Sequence, residues 1–366
     1  MTSAVYLDWN ATSPPLPRAI ETMAEVARHA WGNPASVHAA GRRARDEVES
    51  AREEVARLVG ASPRDVIFTS GGTEANNLAL RGAPALVTSA LEHPSITRVA
   101  EALEGEGKVV RWLPVPASGR LQVAAVNEAL VDLPAGTVVA VGAANHETGV
   151  IQSVAEIAEA AHARGALLHV DAVQAVGKLP PESWEGADTF AIAAHKLRGP
   201  KGIGALVHRP ERAPRPLLLG GSQERGRRPG TVDPVAACGF RIAAEWAQHA
   251  RPERARITRR RDRLETELVR SGAHVNGNQA HRLGHVSNVG FPGRAGDELV
   301  AALDLLGVAV SSGSACSAGT TEPSKIITAM LGIERARAAV RLSLGETTTD
   351  DDVERALAAF SRALRV

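Results

Sequence analysis

Residues 191–204 have the sequence AIAAHKLRGPKGIG: an apolar run, a histidine–lysine pair and a turn rich in glycine and proline. The apolar run is typical of a buried strand, and the glycines allow the backbone to approach a ligand closely. Lys196 therefore ends a predicted strand, where desolvation lowers the pKa of an ammonium group and favours nucleophilic chemistry. Of the five lysines in the chain, it has the setting best suited to a Schiff base. Taken alone, the pattern fits equally well a lysine that extends from a strand end into solvent.

A second strand-like run, ALLHV at 166–170, ends at Asp171, and Gln174 follows shortly after. Ligands of open parallel sheets bind outside the carboxyl ends of the strands, so we expect Asp171 and Lys196 to meet at one edge. An acid that holds a protonated pyridine nitrogen, together with a Schiff-base lysine, is what pyridoxal phosphate (PLP) requires. The alternative for Asp171 is a helix cap in a βα turn. We favour the PLP site because its other parts are also present.

The composition excludes several classes of protein. The chain has 366 residues, 44% of them apolar, and a net charge of +1. This balance gives no global attraction to nucleic acid or to membranes, and no apolar run is long enough to cross a bilayer. The first residues lack the pattern of a signal peptide, and two cysteines are too few for a disulfide framework. We therefore expect a cytoplasmic protein with no direct nucleic-acid or membrane partner.

The order of predicted elements indicates an α/β fold. Two helices, near 17–30 and 37–60, precede short strands that alternate with helices from Asp65 onward, which is typical of a mostly parallel sheet covered on both faces. The alternation stops near residue 230, where a long arginine-rich helical region (about 235–271) begins. We predict a large domain over 1–240 and a smaller α+β domain over 241–366. The arginine run 259–261 is expected to face solvent.

A candidate phosphate site lies in FTSGGTEANNL, residues 68–78, which combines a strand, a glycine turn and a helix start. Backbone N–H groups at a helix N-terminus bind phosphate well, and Thr73 adds a hydroxyl. By itself this segment fits an ordinary βα turn better.

Three further polar residues follow or interrupt strand-like runs. His93 begins a helix after the run at 85–89, where a flat imidazole could stack on a cofactor ring and shuttle protons, or could simply be a hydrogen-bonded loop residue. Asn145 opens the segment NHETG with an amide suited to a phenolic oxygen or a carboxylate. Arg341 lies inside VRLSL, and a buried arginine requires an anion, for which a substrate α-carboxylate has the right geometry.

The two cysteines have contrasting settings. Cys238 lies in AACGF, which predicts small-residue helix packing and an inert thiol. Cys316 lies in the polar segment SSGSACSAGTT (residues 311–321), where a reactive thiolate would be expected, although a surface cysteine without a role fits as well. No metal site is expected, because the histidines at 281 and 285 lack the glutamate of a zinc protease motif.

Taken together, these motifs closely resemble the PLP-dependent cysteine desulfurases of the NifS/IscS type, within the class-V aminotransferase family. The resemblance covers nearly the whole chain. It rests on the segments 6–8, 32–38, 69–74, 145–149, 169–174, 195–196, 230–231, 311–316 and 341–343. It implies a homodimer of PLP-dependent transferase fold type I, with a large PLP domain and a small domain that carries the cysteine segment.

The resemblance also assigns a role to each candidate in the PLP site. Lys196 would hold PLP covalently, Asp171 would contact the pyridine nitrogen and His93 would stack on the ring. Gln174 and Asn145 would lie near the ring oxygen. The phosphate would be bound by Gly72, Thr73, His195, the position of Ala193 and Thr231 of the neighbouring subunit. Relatives commonly have a hydroxyl residue where this chain has Ala193, so one phosphate contact is expected to be lost.

For the substrate, the resemblance implies L-cysteine, gripped by Asn33, Asn145 and Arg341. Cys316 would attack the substrate sulfur, leaving a persulfide on the enzyme and L-alanine as product. The sulfur would then pass to an acceptor protein, such as a scaffold for iron–sulfur cluster assembly or a thiolation enzyme. The alternatives are a selenocysteine lyase or an aminotransferase of the same fold, and a non-catalytic sulfur-transfer scaffold. A scaffold would need neither Lys196 nor Asp171.

Overall fold

The computed structural model describes residues 4–312 and 322–365, and the side chains of residues 251 and 252 are not described. Cys316 lies outside the described residues. The strands of the described part are β1 (Val5–Tyr6), β2 (Val66–Thr69), β3 (Ala85–Ser89), β4 (Val109–Leu113), β5 (Val138–Gly142), β6 (Leu167–Asp171), β7 (Thr189–Ala193), β8 (Gly204–His208), β9 (His274–Val275), β10 (Val286–Gly290), β11 (Val308–Ala309) and β12 (Ala339–Ser343).

The helices of the described part are α1 (Pro17–His29), α2 (Ala39–Val59), α3 (Gly72–Leu80), α4 (Pro94–Gly105), α5 (Val123–Ala129), α6 (Val154–Ala163), α7 (Pro234–His249), α8 (Arg251–Arg270), α9 (Gly296–Leu305), α10 (Lys325–Leu331), α11 (Ile333–Arg337) and α12 (Asp350–Ala363). Helices α1 and α2 follow the two helices predicted at the start of the chain closely, because apolar residues recur at helical spacing, whereas the helical region predicted over 235–271 is two helices, α7 and α8. In α2, for example, Ala44, Val48, Ala51 and Val55 are buried, and the helix ends at Gly60 with φ +70°.

The central sheet has the strand order β2-β8-β7-β6-β5-β3-β4. Strands β4, β3, β5, β6 and β7 pair in parallel, and β8 pairs antiparallel with both β7 and β2. The predicted α/β fold with a mostly parallel sheet is thereby confirmed. Because Asp171 pairs with Ala191, the carboxyl ends of β6 and β7 lie side by side.

The C-terminal part forms a second, smaller layer. Strands β9, β10 and β12 make an antiparallel sheet, and β1 pairs in parallel with β11. Val5 and Leu7 of the N-terminal segment are buried in the same apolar core as Leu264, Leu342 and Phe360. The chain therefore begins against its own C-terminal layer before it enters the central sheet. The division at residue 240 stays a prediction; α7 continues across it.

The prediction that residues 259–261 all face solvent was wrong for Arg261. This side chain is buried and donates to the carbonyl oxygen of Val286 at 2.7 Å, while Arg260 binds Asp350 at 2.7 Å. Arg259 is exposed, as expected. A run of three arginines spans most of a helical turn, so a helix that packs against β10 must bury one of them.

A buried ion pair joins α2 to the strand that leads into the predicted phosphate turn. Arg52 binds the Glu224 carboxylate through two nitrogens at 2.7 and 2.8 Å and also donates to the Val66 carbonyl. The same carboxylate accepts the backbone N–H of Phe68 at 2.8 Å. The pair thus fixes the start of β2 against the 222–226 segment. Both side chains are almost fully buried, so neither charge can turn to water if its partner is lost.

We expect Arg52→Met to lower the free energy of unfolding by about 3–5 kcal/mol, because it leaves the Glu224 carboxylate buried without its partner. The matched control is Arg98→Met, which breaks an exposed pair with Glu101 and should cost less than about 1 kcal/mol. Urea denaturation followed by circular dichroism measures both. Equal midpoints for the two variants would contradict the assigned role of the pair.

Candidate active site

A cavity of about 300 Å³ opens at the carboxyl edge of the central sheet. This volume lies at the lower end of the range of cofactor pockets, roughly 300–1,000 Å³. The predicted residues that line it are Gly72, Thr73, His93, Asn145, Asp171, Gln174, Ala193, His195, Lys196 and Arg341. Asn33 and Thr231 are exposed loop residues and do not line it. Most of the site residues predicted from the sequence therefore line one cavity.

Lys196 ends a short 3-10 turn, Ala194–Lys196, that follows β7. Its Nζ donates to the carbonyl oxygen of Asn10 at 2.5 Å and to that of Ala11 at 2.8 Å. The lysine is half-buried and points into the cavity wall rather than into solvent. The solvent-directed alternative therefore does not describe this side chain.

The Asp171 carboxylate is oriented by two hydrogen bonds. Its Oδ1 accepts the backbone N–H of Val173 at 3.0 Å, and its Oδ2 accepts from the side-chain amide of Asn76 at 2.9 Å. Asn76 is fully buried and also donates to the Ser95 hydroxyl at 2.8 Å. The carboxylate is therefore held in position at the cavity wall before any ligand arrives.

A buried histidine fixes the orientation of the Asn76 amide. His169 Nε2 lies 2.9 Å from Asn76 Oδ1, and His169 Nδ1 lies 2.8 Å from the Thr189 hydroxyl. Burial lowers the pKa of His169 to about 3, so the ring is neutral near pH 7. Since Asn76 Oδ1 can only accept, the ring proton is on Nε2 and Nδ1 accepts from Thr189. Sequence reasoning missed Asn76; a buried asparagine between Ala75 and Leu78 on α3 was the available signal.

His93 caps α4 and faces the cavity. Its Nδ1 accepts the backbone N–H of Ser95 at 3.1 Å, so the proton of the neutral ring is on Nε2. Burial lowers the pKa of His93; the Asp171 carboxylate opposes this and the Lys196 ammonium reinforces it. Its ring meets the ring of His146 edge-on, with centroids 5.2 Å apart. A neutral, flat imidazole is thus available at the cavity wall.

The predicted phosphate turn precedes α3, whose first residue is Gly72. Gly71 has φ +156°, and a Cβ on Gly72 would lie 2.6 Å from a methyl group of Val173, so neither position readily accepts a side chain. Thr73 and His195 line the same cavity, and Ala193 contributes only a methyl group. Burial, followed by the positive charge of Lys196, lowers the pKa of His195 to about 4, so its ring is neutral at pH 7.

Arg341 provides the cationic end of the cavity. Its side chain is almost completely buried, pairs with Asp8 at 2.6 Å and donates to the carbonyl oxygen of His146 at 3.1 Å. Its Nε is buried and has no hydrogen-bond partner among the described residues. A buried guanidinium that lines a cavity suits an incoming carboxylate. Asp8 belongs to the motif at residues 6–8, but the sequence did not predict its pairing with Arg341.

Asn145 and Gln174 line the cavity but are already tied to the protein. Asn145 Oδ1 accepts from Thr148 and Glu147, and its amide donates to the Leu91 carbonyl oxygen at 2.9 Å. Gln174 donates to the Asn10 carbonyl oxygen at 3.0 Å. Each amide therefore retains at most one N–H for a ligand.

Sequence reasoning also missed Glu92. Its carboxyl group accepts from the Ser89 hydroxyl at 2.8 Å and from the Gly142 backbone N–H at 2.6 Å. Burial raises the pKa of Glu92 to about 8, and the nearby negative charge of Asp171 adds to this. Its place directly after a buried strand was the available signal.

The residues around the cavity match the chemistry of PLP. A fixed carboxylate, an amine at a strand end, a neutral flat imidazole and a helix N-terminus with a side-chain-free glycine are the groups that bind its nitrogen, aldehyde, ring and phosphate. Within residues 4–312 and 322–365, no group of histidine, cysteine or carboxylate side chains has the arrangement of a metal site. The described helices include none long and apolar enough to cross a membrane.

Comparison with known proteins agrees with this arrangement. The family model for aminotransferase class-V matches residues 5–356. The cysteine desulfurase IscS of Anaeromyxobacter dehalogenans is 40% identical over 100% of this chain and 93% of its own length. The cysteine desulfurase of Trichormus azollae is 38% identical over 97% of this chain and 91% of its own. A solved structure entitled NifS-like protein superposes with a TM-score of 0.91 at 32% identity, covering 99% of both chains.

The chain belongs to the class-V aminotransferase family, whose enzymes depend on PLP. Within that family its named relatives are cysteine desulfurases, which confirms the resemblance stated from the sequence motifs. The roles assigned to individual site residues stay predictions.

If Lys196 is the residue that holds PLP, borohydride reduction of the purified protein should fix the cofactor to the peptide that contains it. Lys178 serves as the internal control, because it lies close to Lys196 but does not line this cavity. Peptide mass spectrometry locates the label. A label on Lys178 or on the exposed Lys201 would overturn the assignment.

Proposed function

We propose that this chain is an L-cysteine desulfurase in which Lys196, Arg341 and Cys316 divide the reaction. The observation that carries the proposal is that the Lys196 amine, the Asp171 carboxylate and the buried Arg341 guanidinium line one cavity. Lys196 would hold PLP, Asp171 its pyridine nitrogen, His93 its ring, and Gly72 with Thr73 and His195 its phosphate. When bound, PLP supplies an electron sink that stabilises negative charge at the substrate α-carbon.

Lys196 is positioned to act as the base. Its Nζ would take the proton from the substrate α-carbon, with bound PLP supplying the electron sink. The carbonyl oxygens of Asn10 and Ala11, which accept from Nζ, keep the amine at the cavity wall. His93 is proposed to assist as a donor, because its neutral ring carries a proton on Nε2 while Nδ1 accepts from Ser95.

Arg341 is proposed to bind the substrate carboxylate. Asp8 and the His146 carbonyl oxygen fix the guanidinium, which lines the same cavity as Lys196. The substrate is thereby oriented with its carboxylate at one end of the cavity and its α-carbon toward Lys196. Asn145 would add a side-chain N–H to the same carboxylate.

Cys316 is proposed to take the sulfur. Its thiolate would form a bond to the substrate sulfur as the bond from that sulfur to the substrate β-carbon breaks, so that alanine leaves and a persulfide stays on the enzyme. The segment is anchored on both sides: Ser311 before it to Arg341 of the cavity wall, and Ser324 after it to Glu147, the neighbour of the cavity residue His146. Ser311 exchanges backbone hydrogen bonds with Arg341 at 2.6 and 3.2 Å, and the Ser324 hydroxyl donates to Glu147 at 2.5 Å.

The active form is proposed to be a homodimer in the cytoplasm that passes its sulfur to an acceptor protein of iron–sulfur cluster assembly or thiolation. Thr231 and Asn33 are exposed and outside the cavity of their own chain, as residues that serve a neighbouring subunit would be. Trp31, Val37 and Leu219 are also strongly exposed apolar residues, at 72%, 83% and 93%.

Incubating the protein with L-cysteine and a reductant should release sulfide and alanine in equal amounts. Cys316→Ser should keep its bound PLP yet release almost no sulfide, because Cys238, the other cysteine of the chain, is not suited to accept sulfur. The matched control is Cys238→Ser, since Cys238 is fully buried in α7 and burial raises the pKa of its thiol. Mass spectrometry should find one added sulfur on the Cys316 peptide of the parent. Normal turnover by Cys316→Ser would favour a lyase or an aminotransferase instead.

Arg341→Ala should raise the KM for cysteine strongly while PLP stays bound, because losing a buried charge-assisted contact costs on the order of 2–5 kcal/mol. The loss also leaves the Asp8 carboxylate unpaired near the substrate carboxylate. The control is Arg337→Ala, which removes an exposed arginine four positions earlier and should leave KM unchanged. Steady-state kinetics with cofactor absorbance distinguishes substrate binding from cofactor loss. An unchanged KM would remove Arg341 from the substrate site.

A further inference from the structure

A second, smaller cavity of about 90 Å³ lies on the other side of Lys196. Lys196 lines both cavities. The other charged or titratable residues of the second cavity are Lys178, Arg198, Arg254, His285 and Glu346. The reaction derived above uses none of these five groups.

Lys178 connects the second cavity to the PLP cavity through Gln174. Its Nζ donates to Gln174 Oε1 at 2.7 Å. An ammonium group has only donors, so it must meet the oxygen end of the amide. The NH₂ end of Gln174 is then turned toward the carbonyl oxygen of Asn10, 3.0 Å away, and toward the PLP cavity.

The contact chain ends at Lys196. The carbonyl oxygen of Asn10 accepts from Gln174 Nε2 and also from Lys196 Nζ. Lys178, Gln174, Asn10 and Lys196 therefore form one hydrogen-bonded series with a lysine at each end. A change at Lys178 alters the groups that position Lys196 without touching the wall of the PLP cavity.

The charges around Lys178 come from several elements. Lys196 follows β7, Arg198 lies in the turn beyond it, Arg254 is on α8, His285 precedes β10 and Glu346 follows β12. Burial, followed by the positive charge of Lys196, lowers the pKa of Lys178 to about 7, and Glu346 opposes this. Burial lowers the pKa of His285 well below its usual value, so it adds no positive charge. Glu346 Oε2 is buried without a hydrogen-bond partner among the described residues.

We propose that Lys178 is a positioning residue for the PLP site: it fixes the NH₂ end of Gln174 toward the cofactor and, in its protonated form, places a second positive charge near Lys196. Both effects favour a cofactor with a negatively charged ring oxygen and a neutral nitrogen at Lys196. An inward-facing amide N–H favours a negatively charged ring oxygen, and a positive charge behind Lys196 favours the neutral form of the nitrogen there. The inference rests on the proposed assignment of PLP to the cavity beside Lys196.

The test compares Lys178→Met with Lys178→Arg, in the apoprotein for titration with PLP and in the PLP-loaded protein for the absorbance measurement. Lys178→Met removes both the donor and the charge at similar length, whereas Lys178→Arg retains both. We expect Lys178→Met to weaken PLP binding by about tenfold, measured by tryptophan fluorescence on titration with PLP. The pH midpoint of the bound cofactor's absorbance should also move upward by roughly one pH unit, because a nearby positive charge is lost. Lys178→Arg should stay close to the parent in both measurements.

Lys108→Met is the matched control, since it removes a partly exposed lysine outside both cavities and should change neither quantity. Circular dichroism shows whether Lys178→Met is folded, and Lys178→Arg provides the second variant if it is not. The proposal would be overturned if folded Lys178→Met kept the midpoint and the PLP affinity of the parent. It would also be overturned if Lys178→Arg showed the same defects as Lys178→Met. Neither readout requires turnover of cysteine. Failure of the desulfurase assignment would appear separately, as missing sulfide and alanine from the parent.

Discussion

The parallel pairing of β6 with β7 is the constraint on which the site depends. It sets Asp171 opposite Ala191, so the carboxylate that ends one strand and the lysine that follows the next share one edge of the sheet. Neighbouring parallel strands also deliver His93 and Asn145 to that edge, after β3 and β5. Strand ends can carry such polar groups because the backbone leaves the ladder there while the apolar strand interiors remain buried.

Burial of these polar groups then requires partners, and the structure supplies them in layers. Asp171 is held by Asn76, Asn76 by His169, and His169 by Thr189 of the adjacent strand. Every member of this series is satisfied, which matters because a half-satisfied buried network is costly. Arg341 differs from this series, because its buried Nε lacks a hydrogen-bond partner among the described residues.

The N-terminal segment joins the two layers of the molecule at the site. Val5 and Leu7 pack in the C-terminal core, and Asp8 pairs with Arg341. Two residues further on, the carbonyl oxygen of Asn10 accepts from both Lys196 and Gln174. A short stretch of chain thereby sets Arg341 and Lys196 relative to each other. A movement of one layer against the other would displace both residues at once.

The sequence alone determined the α/β class, the approximate bounds of the elements and the strand-end residues Asp171, His93, Asn145 and Lys196. It could do so because hydrophobic periodicity and glycine turns are local signals. Tertiary structure alone decided which groups orient them: Asn76 on Asp171, Asp8 on Arg341, Lys178 on Gln174, and the burial of Arg261 within an arginine run. Most of these partners lie far apart along the chain, and a polar side chain's partner depends on which elements pack together. Residue type predicts what a side chain can bind, and packing decides which group it meets.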